Sequence, residues 1–172
     1  MVNADRVGHE AYQPHSQVWR EVVDTFGEQV LKPTGEIDRE RLGAIVFDDS
    51  NARAKLNSIM HPRMGRMMQE RMGDLRRQGV GVVVLEAALL LEAGWDSLVD
   101  EVWVTSSPPK QVVERIRLRN NLSEEEVQSR ISSQMPSEER AAHSQVLVDN
   151  SGSLDELREQ VETLWNTRVA RS

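Results

Sequence analysis

The 172-residue sequence contains no cysteine. That excludes disulfides, a thiol nucleophile and cysteine-ligated zinc, and leaves the compartment open. No stretch approaches 18 consecutive apolar residues, so no transmembrane helix is expected. The opening Met1 to Glu10 lacks the basic-then-apolar layout of a signal peptide. Cations are in the minority, with 21 Lys and Arg against 28 Asp and Glu, a net charge of −7. Neutralising phosphates needs clustered cations, so such a chain is a poor non-specific nucleic-acid binder. The sequence also lacks G-x-x-x-x-G-K-[ST], G-x-G-x-x-G, G-x-S-x-G and H-E-x-x-H. No metal-ligating set is assigned. The expectation is a soluble cytoplasmic protein with neither nucleic acid nor membrane as partner, its oligomeric state open.

What is present reads as α/β. The length suits one domain, or one domain with an inserted subdomain. Three short runs, 80–85, 101–105 and 146–148, are rich in Val and bounded by polar residues or Gly. Continuous apolar runs of this kind predict strands buried on both faces of a parallel sheet. Helical patterns lie between them. Trp19, Val22, Val23 and Phe26 share one face of a predicted helix over 15–26. Asp38 suits the N-cap of a helix carrying Leu42, Ile45, Val46 and Phe47. Pro62 predicts the first turn of a helix reaching about Gln78. Pro108 and Pro109 open another, with Val112, Val113 and Ile116. Ser123-x-x-Glu126 and Ser153-x-x-Glu156 have the form of capping boxes, the second opening a last helix to about Arg168. Nearly 80 mostly helical residues precede the first strong strand, so Met1-Val2-Asn3 is the candidate for an early strand.

Several residues could carry chemistry. Asp5 follows that early strand, where open α/β sheets bind ligands; a turn or N-cap aspartate is the plain alternative. His61 before Pro62 could touch a ligand or cap a helix. Glu86 ends the first apolar run, and a carboxylate there can hold a metal or a substrate hydroxyl. Arg115 and Arg119 share a helix face. With Arg130 and Arg140 they could neutralise a transferring phosphate, or form a salt-bridged surface with the many nearby glutamates. Residues 51–77 hold seven Lys and Arg beside Met60, Met64, Met67, Met68 and Met72. A core Met face and a solvated Arg face are expected. Composition and spacing stop at an α/β domain with an anionic ligand.

Taken together, the segments resemble the dephospho-coenzyme A kinase family over nearly the whole chain. The resemblance rests on Val2-Asn3-Ala4-Asp5, Gly35-Glu36-Ile37-Asp38-Arg39 with Val46-Phe47, and Leu56 to Pro62. Further along it rests on Val84 to Trp95, on Arg119 with Leu122 to Glu126, Arg130, Ser133-Gln134-Met135 and Arg140, and on Asp149 to Leu154. It implies a P-loop kinase-like parallel sheet flanked by helices, a single domain over 1–172. A helical coenzyme-A-binding subdomain is implied at about 10–78 and a lid at about 112–142. ATP, Mg²⁺ and dephospho-coenzyme A are the implied ligands. Asp5, Arg119 and Arg140 match the catalytic positions. Arg39, His61, Glu86 and Leu90 match the substrate cleft, and Arg115, Asn150 and Gly152 the nucleotide side.

One departure dominates. The family begins with a strand, a Gly-rich Walker A loop and a helix, which would lie before Met1. The expectation is therefore a truncated kinase domain with its central Walker A strand missing, inactive on its own. The sheet is expected to have a slot, or to have collapsed, between the strands at 80–85 and 101–105. The alternative is a non-catalytic relative that binds coenzyme A or a protein partner.

Overall fold

The computed structural model describes residues 1–132 and 134–170. These fall into two compact units, one over Met1–Ala88 and one beginning at Leu89.

The first unit opens with strand β1 (Val2–Asn3) and helix α1 (Ala4–Ala11). Helix α2 (Gln17–Phe26) starts where the Ser16 hydroxyl accepts the Trp19 amide at 3.0 Å. Val18, Val22 and Phe26 form its buried stripe. It stops at Gly27, whose φ of +83° favours glycine. Asp38 accepts the amides of Glu40 and Arg41 at 3.2 Å, opening α3 (Arg39–Asp48) as its sequence position predicts. Leu42 of α3 is buried, and Phe47 turns outward. The core gathers Val18, Val22 and Phe26 with Val30, Ile37, Leu42 and Met60.

Helix α4 corrects the expectation at Pro62. It runs over Ser50–Arg77 without interruption, with Pro62 inside it. Its cap is Asp49, which accepts the Asn51 amide at 2.7 Å and the Ala52 amide at 3.1 Å. A proline in the interior removes one hydrogen bond to the preceding turn. The burial of Met60 and Met68, with Met64 and Met67 packed on the core, holds the helix through it. His61 is consequently mid-helix, and the reading of it as a cap falls. The Met-in, Arg-out division holds, with Arg71 paired to Glu10 of α1.

Strand β2 (Leu85–Glu86) pairs in parallel with β1, Val2 opposite Leu85 and Asn3 opposite Glu86. The strand expected over 80–85 is thus reduced to its end. Val80, Val82 and Val84 are 41%, 45% and 49% exposed rather than buried. A two-residue β1 offers too few hydrogen-bonding groups to order more of the run.

The second unit holds β3 (Trp103–Ser106) and β4 (Val146–Asp149), again parallel, in register from Trp103 opposite Val146 to Ser106 opposite Asp149. Parallel pairing agrees with expectation, but it occurs as two two-stranded sheets. Burial on both faces does not hold for β4. Val146 and Val148 are buried while Leu147 is exposed, the alternation of a one-faced strand. Between these strands lie α5 (Pro109–Asn120), α6 (Glu124–Ser132) and α7 (Ser137–Ala142). Both capping boxes form: Ser123 exchanges bonds with Glu126, and Ser153 with Glu156. The last helix, α8 (Leu154–Leu164), is followed by Trp165–Val169, which widens into a π-turn. There the Thr167 hydroxyl donates to the carbonyls of Thr163 and Leu164, competing with the regular ladder.

Candidate active site

In the first unit Asp5 and Glu86 lie where β1 and β2 end. Asn3 has two tasks there. Its Oδ1 accepts the Arg6 amide at 3.0 Å, capping α1, and its Nδ2 donates to Glu86 Oε2 at 2.8 Å. The side chain thus ties the start of α1 to the end of β2. Asp5 sits in the first turn of α1 and is exposed. Its carboxylate takes no hydrogen bond or ion pair among the described residues. It stands beside the amide end of a helix, where negative charge is favoured.

Arg39 reaches the same helix from α3. Its Nη1 bonds the Nε2 of His9, and its guanidinium carbon lies 5.6 Å from the Tyr12 ring centroid. The other His9 nitrogen, Nδ1, meets the Asp5 carbonyl oxygen at 2.7 Å. Burial pushes the Tyr12 phenol above its ordinary pKa, and the Arg39 charge opposes that rise. Gly8, on the same helix, lets α1 approach α4 closely: a Cβ there would lie 3.3 Å from Met64 Cε. Asp5, Arg39 and Glu86 are therefore linked through Asn3 and His9. His61 lies half-buried on α4.

In the second unit the loop after β4 is held from outside. Arg115 Nη1 and Ser107 Oγ each donate to the Asn150 carbonyl at 2.9 Å. Gln111 Nε2 donates to the Ser151 carbonyl at 3.1 Å. The Asn150 amide donates to the Ser106 carbonyl at 2.7 Å. Gly152 follows, and a Cβ there would lie 2.4 Å from Glu156 Oε2, the carboxylate that closes the capping box. Arg115 is thus spent on the loop backbone. Arg119 is exposed, with its Nε on Asn120 Oδ1 at 3.1 Å. Arg140 is half-buried: Nη2 donates to Ser137 Oγ at 3.3 Å, and Nε is buried without a partner. Leu90 lies half-buried in a turn, its carbonyl accepting the Trp95 amide at 2.9 Å. Ser133, in the segment expected to form a lid, lies outside the described residues. A groove of about 950 Å³ runs between α5 and α6, past Val113, Arg117, Leu118 and Leu122, and does not take in Arg115, Arg119 or Arg140.

Among the described residues no three His, Asp or Glu side chains converge as a metal site. None of the described helices is long and apolar enough to cross a membrane.

Comparison with known proteins supplies the family. The family model described as CoaE, dephospho-CoA kinase, matches residues 1–156. The chain belongs to the dephospho-CoA kinase family. It is 44% identical over 168 residues to the dephospho-CoA kinase of Geobacter sulfurreducens, covering 98% of this chain and 85% of that one. It is 38% identical to that of Carboxydothermus hydrogenoformans, covering 95% and 80%. Among solved structures it resembles a Thermus thermophilus protein with a TM-score of 0.78 and 28% identity, covering 98% and 84%. It also resembles the dephospho-CoA kinase of Campylobacter jejuni, with a TM-score of 0.70 and 25% identity, covering 99% and 86%. The α/β fold with small parallel strand pairs is thus one shared with a dephospho-CoA kinase structure.

Sequence reasoning did not assign His9, Tyr12, Ser107 or Gln111 to the site of this family member. A signal for the first two was available. His9 and Tyr12 lie four and seven residues after Asp5, on one helical face. Ser107 and Gln111 hold backbone carbonyls across 40 or more residues of sequence, and no spacing rule reports that.

Proposed function

We propose that the chain serves the ATP-dependent phosphorylation of the ribose 3′-hydroxyl of dephospho-coenzyme A, giving coenzyme A. The observation that carries this reading is the family match across residues 1–156. The placement of Asp5 and Glu86 at the ends of β1 and β2 supports it, because that is where open α/β sheets take ligands. In the reaction the 3′-oxygen attacks the γ-phosphorus in line, the bond to the β-bridging oxygen breaks, and ADP leaves. Asp5 orients the hydroxyl and accepts its proton late, as suits a weak carboxylate base. Arg119 and Arg140 offset the charge on the transferring phosphoryl group. Arg115, by holding the Asn150 carbonyl, shapes the nucleotide side with Asn150 and Gly152. Arg39, His61, Glu86 and Leu90 serve the substrate side. The helices over about 10–78 form the coenzyme-A-binding part and residues of about 112–142 the lid, in a cytoplasmic enzyme.

The described side chains do not form a metal site by themselves. Mg²⁺ is assigned only to the nucleotide's phosphates, and no step is routed through it.

No part of the 172 residues reads G-x-x-x-x-G-K-[ST]. The backbone cradle and phosphate-binding Lys of such a loop are not supplied by them. One arginine finger alone is worth roughly 10³–10⁵ in rate, so loss of a whole cradle is severe. These residues by themselves are expected to release no ADP. Joined behind a family N-terminal segment bearing that loop, they are expected to convert dephospho-coenzyme A to coenzyme A. Product formation by both proteins is read by chromatography. ADP from the 172 residues alone overturns their inactivity. Tight dephospho-coenzyme A binding without turnover by the joined protein replaces the kinase reading with the alternative, a non-catalytic coenzyme A- or partner-binding relative.

A further inference from the structure

The contact between His9 and Arg39 is chemically one-sided. A carbonyl oxygen only accepts, so His9 Nδ1, 2.7 Å from the Asp5 carbonyl, carries the proton. A guanidinium only donates, so His9 Nε2, facing Arg39 Nη1, carries the lone pair. The two contacts together require the Nδ1–H tautomer, and the ring bridges the first turn of α1 to a cation from α3. The Tyr12 ring gives the same guanidinium an apolar seat at 5.6 Å. Arg39 is exposed and on a long side chain, which costs rotamer entropy to fix. Its neighbour Arg41 pairs instead with Asp38.

We infer that His9 is a positioning residue. Its Nε2 lone pair holds the Arg39 guanidinium above α1, beside the Asp5 turn, in readiness for an anionic group of the substrate. The inference rests on the substrate-side reading of Arg39 and adds what fixes that residue. A helix that merely needed His9 for packing would not distinguish the two ring nitrogens, whereas this role needs one of them as an acceptor.

Two amide replacements separate the nitrogens. His9→Gln can place an oxygen near the Nε2 position, keeping an acceptor for Arg39. His9→Asn can place its amide near Nδ1, keeping the Asp5 carbonyl bond and losing the acceptor. Dephospho-coenzyme A is titrated calorimetrically into the 172-residue chain. His9→Asn is expected to bind about three- to tenfold more weakly, His9→Gln to stay within about twofold, and His9→Asn to add nothing in an Arg39→Ala background. Equal loss in both single variants, or no loss in either, overturns the inference. Nitrogen-15 spectra of the His9 ring in the unliganded chain are a second readout, expected to show the Nδ1–H tautomer. An Nε2–H tautomer overturns the contact whatever the titrations show. If the unaltered chain does not bind dephospho-coenzyme A, the substrate-side reading of Arg39 fails first, and the ring spectrum alone judges whether His9 holds Arg39.

Discussion

Glu101 shows how one side chain can fasten a terminus. Its Oε1 accepts Arg168 Nε at 2.7 Å as well as Nη2, and its Oε2 accepts Trp103 Nε1 at 2.8 Å. Three donors on one carboxylate favour its ionised form. The Arg168 bond first, and the Trp103 bond second, hold Glu101 below the ordinary glutamate value of 4.5. A carboxyl whose folded-state pKa is depressed adds stability above its unfolded value, and that stability is lost as pH falls through the folded one. Glu101→Gln should therefore melt at a lower temperature than the unaltered chain, by a constant margin from pH 7 down to about 5. Below 4.5 the margin should shrink as the native carboxylate takes up its proton. Calorimetric melting at stepped pH checks this, and a margin that widens in acid would contradict the assignment. The residues Glu101, Trp103 and Arg168 were each visible in the sequence. Their meeting was not, because 67 residues separate the charged pair and nothing in local spacing reports such a closure.

Elements were legible where local chemistry decides them. Asp38, Ser123 and Ser153 cap helices because a short acceptor side chain satisfies amides two or three residues on, a rule contained within one turn. Two elements were misread because tertiary packing outweighed local preference. The Val-rich run at 80–85 has strand propensity throughout, yet only its last residue and Glu86 pair, since a strand is as long as its partner allows. At Pro62 a local stop signal is overridden by the buried Met60 and Met68 on either side. The two readings of Pro62 make opposite demands. At the first helical position proline costs nothing, and replacing it gains nothing. Inside a helix it costs about 3 kcal/mol, offset by about 0.4–1 kcal/mol from its restriction of the unfolded chain. Pro62→Ala should therefore raise the unfolding free energy by about 2 kcal/mol, because its new amide can reach the Ser58 carbonyl one turn back. Urea unfolding followed by circular dichroism measures the change. A neutral or destabilised variant would mean that the helix breaks at Pro62 after all.

At the scale of the molecule, the candidate residues sort by unit. Asp5, Arg39, His61 and Glu86 lie within Met1–Ala88, whereas Leu90, Arg115, Arg119, Arg140, Asn150 and Gly152 lie beyond it. The sequence reading drew its lines elsewhere, taking 1–172 as a single domain and grouping Leu90 with Arg39, His61 and Glu86. It did not suggest how Arg115 acts. A cationic side chain there reads as a candidate phosphate ligand, yet Arg115 donates to the Asn150 carbonyl and so acts on the loop after β4. The sorting makes a kinetic prediction for the kinase completed with a loop-bearing N-terminal segment. Under the proposed reading, Arg39→Ala removes a cation assigned to an anionic group of dephospho-coenzyme A, and hydrogen bonds to charged groups are worth about 1.5–3 kcal/mol. The KM for dephospho-coenzyme A should rise by roughly 10- to 100-fold, with the KM for ATP within about twofold. Arg115→Ala should do the reverse. It removes one of the two side-chain donors to the Asn150 carbonyl and loosens the loop, raising the KM for ATP by about tenfold and leaving the other substrate's nearly unchanged. Arg115→Lys should recover little, since a point charge does not reproduce a guanidinium that reaches both Ser107 Oγ and the carbonyl. Initial rates with each substrate varied in turn measure all four constants. If either alanine variant moves both KM values together, Arg39 and Arg115 do not serve separate substrates.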